Sequence, residues 1–334
     1  MGLQFRTPLF ASIDLSTICN LNCIHCRNKM QKTASLEYSK VKSLVKEFEK
    51  LEIFHLSFAV GEPFLYPQIY ELLFYSQKLN FPKITITTNC VVLNKSKIDK
   101  LDNGKIRFAV SLDGPKKIHN LIRGKAVFDK VIKNIAYLVS KGFFVMINCT
   151  LMKQNFKYFD DIIKIAKKLK VNQINFSKVF PVHKEIKKFM LSKKDLNKVY
   201  IKYGAYSNEK KLVIFLDKGY VGFPTEYNTD IATYMGCRAG ISQINVMSDG
   251  SILGCKLLPN VCAGNIYKNN ITEIWENDDN WKLFRNIKDN LESKSCKQCK
   301  YFDACKGGCR AFAYYITGNL NNKDPLCPIV DKYD

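Results

Sequence analysis

Short apolar runs alternate with amphipathic stretches over residues 9–179, and that alternation predicts an α/β protein whose first half is a partial (β/α)6 TIM-like barrel. Two further observations predict a second, smaller domain. The alternation stops near residue 180, and eight of the thirteen cysteines lie beyond residue 221, in a loop-rich stretch with a β-hairpin. The boundaries read as 1–190 for the barrel, 191–220 for a bridging helix and strand, and 221–334 for the cysteine-rich domain.

The elements follow in order. Strands are expected at "LFASIDL" (9–15), "IFHLSFAV" (53–60), "KITITT" (83–88), "IRFAVSL" (106–112), "FFVMINCT" (143–150) and "VNQINFSKV" (171–179). Helical patterns near 36–50, 67–80, 94–101, 126–141 and 155–169 separate them, as βαβ units of a parallel sheet require. In such a barrel chemistry gathers at the C-terminal ends of the strands. Beyond 180, a polar helix over 192–209 opens at Ser192, a good N-cap residue, and the strand "LVIFL" (212–216) follows. "INVMSDGSILGC" (244–255) reads as a hairpin turning at Asp249-Gly250, and "ITEIWEN" (271–277) as a short helix.

Composition excludes several classes. A hydrophobic fraction of 46% is that of a globular chain with a core, not of a disordered one. No apolar run is long enough to span a membrane, and "MGLQFRTPLF" lacks a signal-peptide core. A cytoplasmic location follows, where thiols stay reduced and thirteen cysteines suggest metal rather than disulfides. The net charge of +22 invites a nucleic-acid reading. Only seven of the 52 basic residues are Arg, however, and the lysines are spread along polar helix faces such as "IIKIAKKLK" (162–170). Arg is the side chain suited to bidentate phosphate or guanine contacts, so nucleic acid is not the expected partner.

The cysteines carry the chemistry. Cys19, Cys23 and Cys26 are spaced C-x3-C-x2-C just after the first strand. Iron–sulfur clusters are held by thiolates, and three thiolates leave one iron of a four-iron cluster open. With this spacing the chain resembles the radical S-adenosylmethionine (SAM) superfamily, whose signature is C-x3-C-x-aromatic-C with SAM as the fourth ligand; His25 stands where that family usually carries the aromatic. "VGEP" (60–63) resembles the family's Gly-Gly-Glu-Pro, which holds the methionine amino group, with Val60 in place of the first glycine and Gly61, Glu62 and Pro63 matching. "TTN" (87–89), ending in Asn89, closes the third strand. "SLDG" (111–114) closes the fourth, and there, at Ser111 and Asp113, the family contacts the SAM ribose. Arg123 resembles the family arginine that pairs with the SAM carboxylate. Read singly, Glu62, Asp113 and Arg123 are ordinary loop residues; together, in order and at strand ends, they reinforce one another.

A second pattern lies in the last third. Cys237 and Cys255 fit C-x12-G-x4-C through Gly250; Cys296, Cys299, Cys305 and Cys309 fit C-x2-C-x5-C-x3-C; and Cys327 follows. This pattern resembles the SPASM domain, which carries auxiliary iron–sulfur clusters. A pair of zinc ribbons is the structural alternative, since C-x2-C is also zinc spacing. The resemblance implies one cluster on Cys296, Cys299, Cys305 and Cys327, and another on Cys237, Cys255 and Cys309, both of the [4Fe–4S] type. The latter site lacks a fourth thiolate: its iron is open, or Cys262 bends back to it, or a non-thiolate binds. Cys90 and Cys149 read as small buried apolar residues. Arg27, Arg238 and Arg310 each follow a cluster cysteine, either to tune its potential or as solvent-facing side chains of a basic protein.

The resemblance implies an enzyme whose reduced cluster cleaves SAM to methionine and a 5′-deoxyadenosyl radical, which takes hydrogen from substrate. Most SPASM relatives modify a ribosomally made peptide by crosslinking, epimerisation or oxidation, and that is the expected activity. The alternative is a radical SAM enzyme of haem, tetrapyrrole or other small-molecule cofactor biosynthesis. A non-enzymatic electron-transfer protein would need the cysteines but not Glu62, Asp113 or Arg123. The sulfatase-maturing branch carries an Asp directly after the second SPASM cysteine, where Lys256 stands here. A flavodoxin or ferredoxin is the expected reductant. Only eighteen residues precede Cys19, so leader binding would fall to a separate protein or to the basic surface.

Overall fold

The computed structural model describes residues 5–30, 32–124, 126–206, 209–216 and 236–327. Most of the loop expected from residue 221 onward to Cys237, and the end of the chain, lie outside the described residues.

Seven strands run parallel in chain order: β1 (Phe10–Asp14), β2 (His55–Ala59), β3 (Lys83–Thr88), β4 (Ile106–Ser111), β5 (Phe144–Leu151), β6 (Gln173–Lys178) and β7 (Val213–Leu216). Helices connect them, because a parallel pair cannot be joined by a tight turn. The helix Tyr38–Lys50 buries Val41, Leu44, Val45 and Phe48, one stripe at helical spacing, against the outer face of the sheet. On β2, Leu56 and Phe58 are fully buried in that layer, while His55, Ser57 and Ala59 face a cavity on the other side. The strand's two faces are therefore chemically different: the helix-facing one is aliphatic and aromatic, and the inner one is small or polar.

The sheet does not end at β1. β8 (Gln243–Val246) adds to it in parallel, and β9 (Ser251–Leu253) and β10 (Cys262–Asn265) continue it antiparallel, giving one ten-stranded sheet. The expected hairpin is present, turning at Gly250 with φ +84°, a conformation that glycine adopts without Cβ strain. What was not expected is that this hairpin extends the barrel sheet itself. The helix Ile271–Glu276 is also where it was expected, capped by Asn270, and its Trp275 is buried and donates to the Phe5 carbonyl at 3.1 Å. Several elements carry no sequence expectation, among them β10 and the helices Lys116–Arg123 and Arg310–Thr317. Among the described residues no helix is long and apolar enough to cross a membrane.

Candidate active site

The loop bearing Cys19, Cys23 and Cys26 follows β1, and its walls come from the ends of β2, β3 and β4. Gly61 fixes the first contact. Its φ is +60°, and a Cβ there would stand 2.4 Å from the Ile18 carbonyl oxygen and 2.5 Å from that of Ser16. Only a glycine lets the Glu62 N–H reach the Ile18 carbonyl at 2.8 Å. Val60, beside it, adopts φ 67°, which a β-branched residue does at a cost.

Glu62 is 2% exposed. Its carboxylate accepts from the Thr88 hydroxyl (2.6 Å), the Asn89 N–H (2.7 Å) and the Phe64 N–H (3.2 Å). Burial nevertheless dominates and pushes its pKa up to about 7, against those hydrogen bonds and the Arg123 charge. Asn89 points back into the cysteine loop, donating to Asn20 Oδ1 at 2.8 Å and lying 3.7 Å from Cys19 Sγ.

Asp113 and Arg123 form a buried pair, Nε to Oδ2 at 2.5 Å. Asp113 Oδ1 accepts from the Thr150 N–H at 2.9 Å, so both oxygens are engaged within the protein. Burial alone would raise the Asp113 pKa; the charges of Arg123 and His25 outweigh it and hold the carboxyl below its usual range. Arg123 closes the helix Lys116–Arg123 and directs Nη1 to Cys23 Sγ at 3.9 Å. Cys23 itself is pushed up to about 11, by burial first and then, against the Arg123 charge, by Cys26, Asp113 and Cys19. Ser111, at the end of β4, is half-buried. His119 was not singled out in the sequence, yet it is fully buried and its Nδ1 accepts from the Asp113 N–H at 3.2 Å.

The C-terminal cysteines fall into two groups. Cys237, Cys255 and Cys309 line a cavity of about 550 Å³ whose other wall is the inner face of β1 and β2, at Ser12, His55 and Ser57. Of the remaining four, Cys296 and Cys327 pack together with Leu291 and Phe302, and Cys305 is pushed up to about 12, by burial first and then by the charges of Cys327, Asp324, Cys296 and Cys299. Cys262 joins neither group. It is exposed at the start of β10 and donates to the Gly264 carbonyl at 3.1 Å.

Lys256 projects into the cavity beside Cys255. Its Nζ donates to Ser12 Oγ at 2.6 Å and to Asp14 Oδ1. Asp14, the last residue of β1, is fully buried; Arg27 Nη2 stands 4.0 Å from its Oδ2, which accepts no hydrogen bond. Sequence reading singled out Lys256 and Arg27 but missed the acid that joins them.

Among the described residues, no three His, Cys, Asp or Glu side chains are gathered as they would be round a single metal ion. The donors fit an iron–sulfur and SAM site in two ways. All thirteen cysteines are free, and thiolates are the ligands such clusters take. Glu62 is a buried carboxyl with no cation bonded to it among the described residues, which suits the ammonium group of a ligand.

Comparison with known proteins bears on the same regions. The family model described as the Radical SAM superfamily matches residues 13–190, and that of an iron–sulfur cluster-binding domain, SPASM, matches 237–300. The AdoMet-dependent heme synthase of Methanosarcina barkeri is 26% identical, over 96% of this chain and 97% of its own. The mycofactocin maturase MftC of Mycobacterium tuberculosis is 23% identical, over 96% of this chain and 83% of its own. Among solved structures, Streptococcus suis SuiB bound to S-adenosylmethionine shares the fold, with a TM-score of 0.80 at 22% identity over 97% of this chain and 78% of that one. SuiB is also solved bound to its precursor peptide SuiA.

Proposed function

This chain belongs to the radical SAM superfamily, and on that premise we propose that it modifies a ribosomally made peptide, by crosslinking, epimerisation or oxidation. It is a radical SAM enzyme with a [4Fe–4S] cluster, SAM and auxiliary iron–sulfur clusters. When bound, cluster and SAM together supply a one-electron reductive cleavage, the source of a carbon radical that takes a hydrogen atom from substrate. The chain's own residues hold, orient and shield. In this reading Cys19, Cys23 and Cys26 are the ligands of the first cluster. Gly61 and Pro63 shape the loop that brings Glu62 to the SAM ammonium, and Asn89 braces the cysteine loop. Ser111 and Asp113 lie by the ribose. Arg123, whose Nε is taken by Asp113 and whose Nη1 is directed to Cys23 Sγ, would meet the carboxylate with Nη2.

The observation that carries the reading is the shared cavity. Cys237, Cys255 and Cys309 face the inner wall of the barrel across it, at Ser12, Ser57, Ala59 and Thr87, so a substrate held there would lie between the inner faces of β1 to β3 and an auxiliary cluster. Cys296, Cys299, Cys305 and Cys327 hold the second auxiliary cluster. With Cys262 outside the cavity, the nearer cluster has three thiolates and a position for another ligand. The peptide substrate is supported by MftC and by SuiB with its precursor peptide. We place the domains at 1–190, 191–220 and 221–334, the enzyme in the cytoplasm, and a flavodoxin or ferredoxin as reductant.

A second reading, a haem-type or other small-molecule substrate, is favoured by one observation: the matched heme synthase aligns over 97% of its own length. Reconstituted enzyme with SAM and dithionite separates the two. A candidate precursor peptide should raise 5′-deoxyadenosine release and change in mass. Stimulation by a tetrapyrrole and by no peptide overturns the peptide reading.

A further inference from the structure

Arg310 directly follows Cys309 and opens the helix Arg310–Thr317, yet it is 1% exposed. A guanidinium taken out of water loses several kcal/mol of hydration and normally finds a carboxylate. Among the described residues Arg310 makes no ion pair. Its Nη1 donates to the carbonyls of Leu320 (2.8 Å) and Asn322 (2.7 Å), its Nη2 to that of Gly307, and its Nε has no acceptor. Asp324, a buried acid nearby in sequence, accepts instead from the N–H groups of Cys309 and Leu326. Carbonyl dipoles solvate the cation but leave its charge uncompensated.

Thiols of both groups lie within its field. Arg310 directly follows Cys309 of the cavity group, and Gly307, whose carbonyl accepts from its Nη2, stands against Leu291, which packs with Cys296 and Cys327 of the second group. The position is also fixed. The chain closes over the guanidinium at Gly307, where an added Cβ would stand 3.1 Å from Nη2.

We propose that Arg310 is a positioning cation shared by the two auxiliary clusters, its charge favouring the reduced form of both. The proposal rests on the reading of Cys237, Cys255 and Cys309, and of Cys296, Cys299, Cys305 and Cys327, as two cluster sites. Anionic clusters on either side supply the countercharge that no carboxylate provides, and a cation near a cluster raises its potential.

The test is a potential titration of the reconstituted holoenzyme, read cluster by cluster by electron paramagnetic resonance. Iron content of the unaltered protein comes first: about twelve irons per chain supports the two-cluster reading, and about four overturns that reading whatever Arg310 does. In Arg310→Gln both auxiliary clusters should become harder to reduce. The reduced-to-oxidised ratio at fixed potential should fall about tenfold at each, ~59 mV for one electron, while the cluster on Cys19, Cys23 and Cys26 stays put. Arg310→Lys keeps the charge without the forked hydrogen bonds and should stay close to the unaltered protein. Iron loss in the Gln variant alone also supports a charge requirement. A shift at one auxiliary cluster only, no shift at either, equal shifts in both variants, or iron loss in both would overturn the proposal.

Discussion

Cys19, Cys23 and Cys26 are held by a wall built from four places in the chain: Glu62 after β2, Asn89 after β3, Asp113 after β4 and Arg123 at a helix end. Cys296, Cys299, Cys305 and Cys327 are held otherwise. They lie in and beside helices of four residues, Lys294–Lys297 and Phe302–Cys305, and the local core is Leu291 and Phe302 packed with Cys296 and Cys327 themselves. A single helical turn does not sustain itself, and so small a core offsets little chain entropy. The difference teaches where each site's shape comes from. The barrel makes the first site in advance of any cofactor, whereas the second, on the proposed reading of its thiols as cluster ligands, would draw much of its order from what they bind, as small metal domains do.

The largest expected effect separates the two. Changing Cys19, Cys23 and Cys26 to Ala should abolish 5′-deoxyadenosine release while β1 to β7 keep their hydrogen-exchange protection. Changing Cys296, Cys299, Cys305 and Cys327 to Ala should strip protection from residues 291–327 and leave the barrel strands protected. Barrel exposure in the first variant, or full protection of 291–327 in the second, breaks the comparison.

Next comes the seam between the regions. Lys256→Met leaves Asp14 buried without its ammonium partner and should cost about 3–5 kcal/mol in denaturant unfolding. Adding Asp14→Asn should recover part of the loss; a double variant as unstable as the sum would mean that the pair does not act as a unit.

Glu62 gives a smaller, pH-dependent effect. Its folded pKa of about 7 lies above the ordinary carboxyl value, so between those values the folded chain holds the extra proton. Stability of the SAM-free protein should therefore fall as pH rises from about 4.5 to 7, and Glu62→Gln should flatten that slope. SAM should flatten it too, by bringing an ammonium to the carboxylate. An unchanged slope in the Gln variant would assign the titration to another group.

The smallest effect is at Val60. Val60→Gly removes the Cβ strain of a left-handed backbone worth about 1 kcal/mol, partly offset by the freer unfolded chain. A small rise in melting temperature is expected, and a fall would show that the Val60 side chain packs more than it strains.

Much of this was legible in the sequence. A strand with one apolar face and one small or polar face reads as an alternation rich in β-branched residues, so "KITITT" marks β3 residue for residue and the other five barrel strands were placed to within a residue or two. The cysteine spacing and Gly61-Glu62-Pro63 are local in sequence, which is why they could be read. Partnerships across the chain could not. Nothing near Asp14 announces that its counter-ion is Lys256, 242 residues away. "KKIHNLIR" opens after Pro115 without a side-chain cap and is short, so the helix delivering Arg123 gave little signal. Arg310 looks like any basic residue of a lysine-rich chain until its burial is known.

The pairing of β8 with β1 also has a consequence for synthesis of the chain. β1 is flanked by β2 on one side and by β8, more than two hundred residues later, on the other. On the ribosome its second edge stays unpaired until residues 243–246 emerge, a delay on the order of tens of seconds at ordinary elongation rates. Through that interval the nascent barrel presents bare N–H and C=O groups, a template on which another chain could pair. A chaperone with affinity for extended apolar segments should engage the growing chain during this window and release it once β8 is in place.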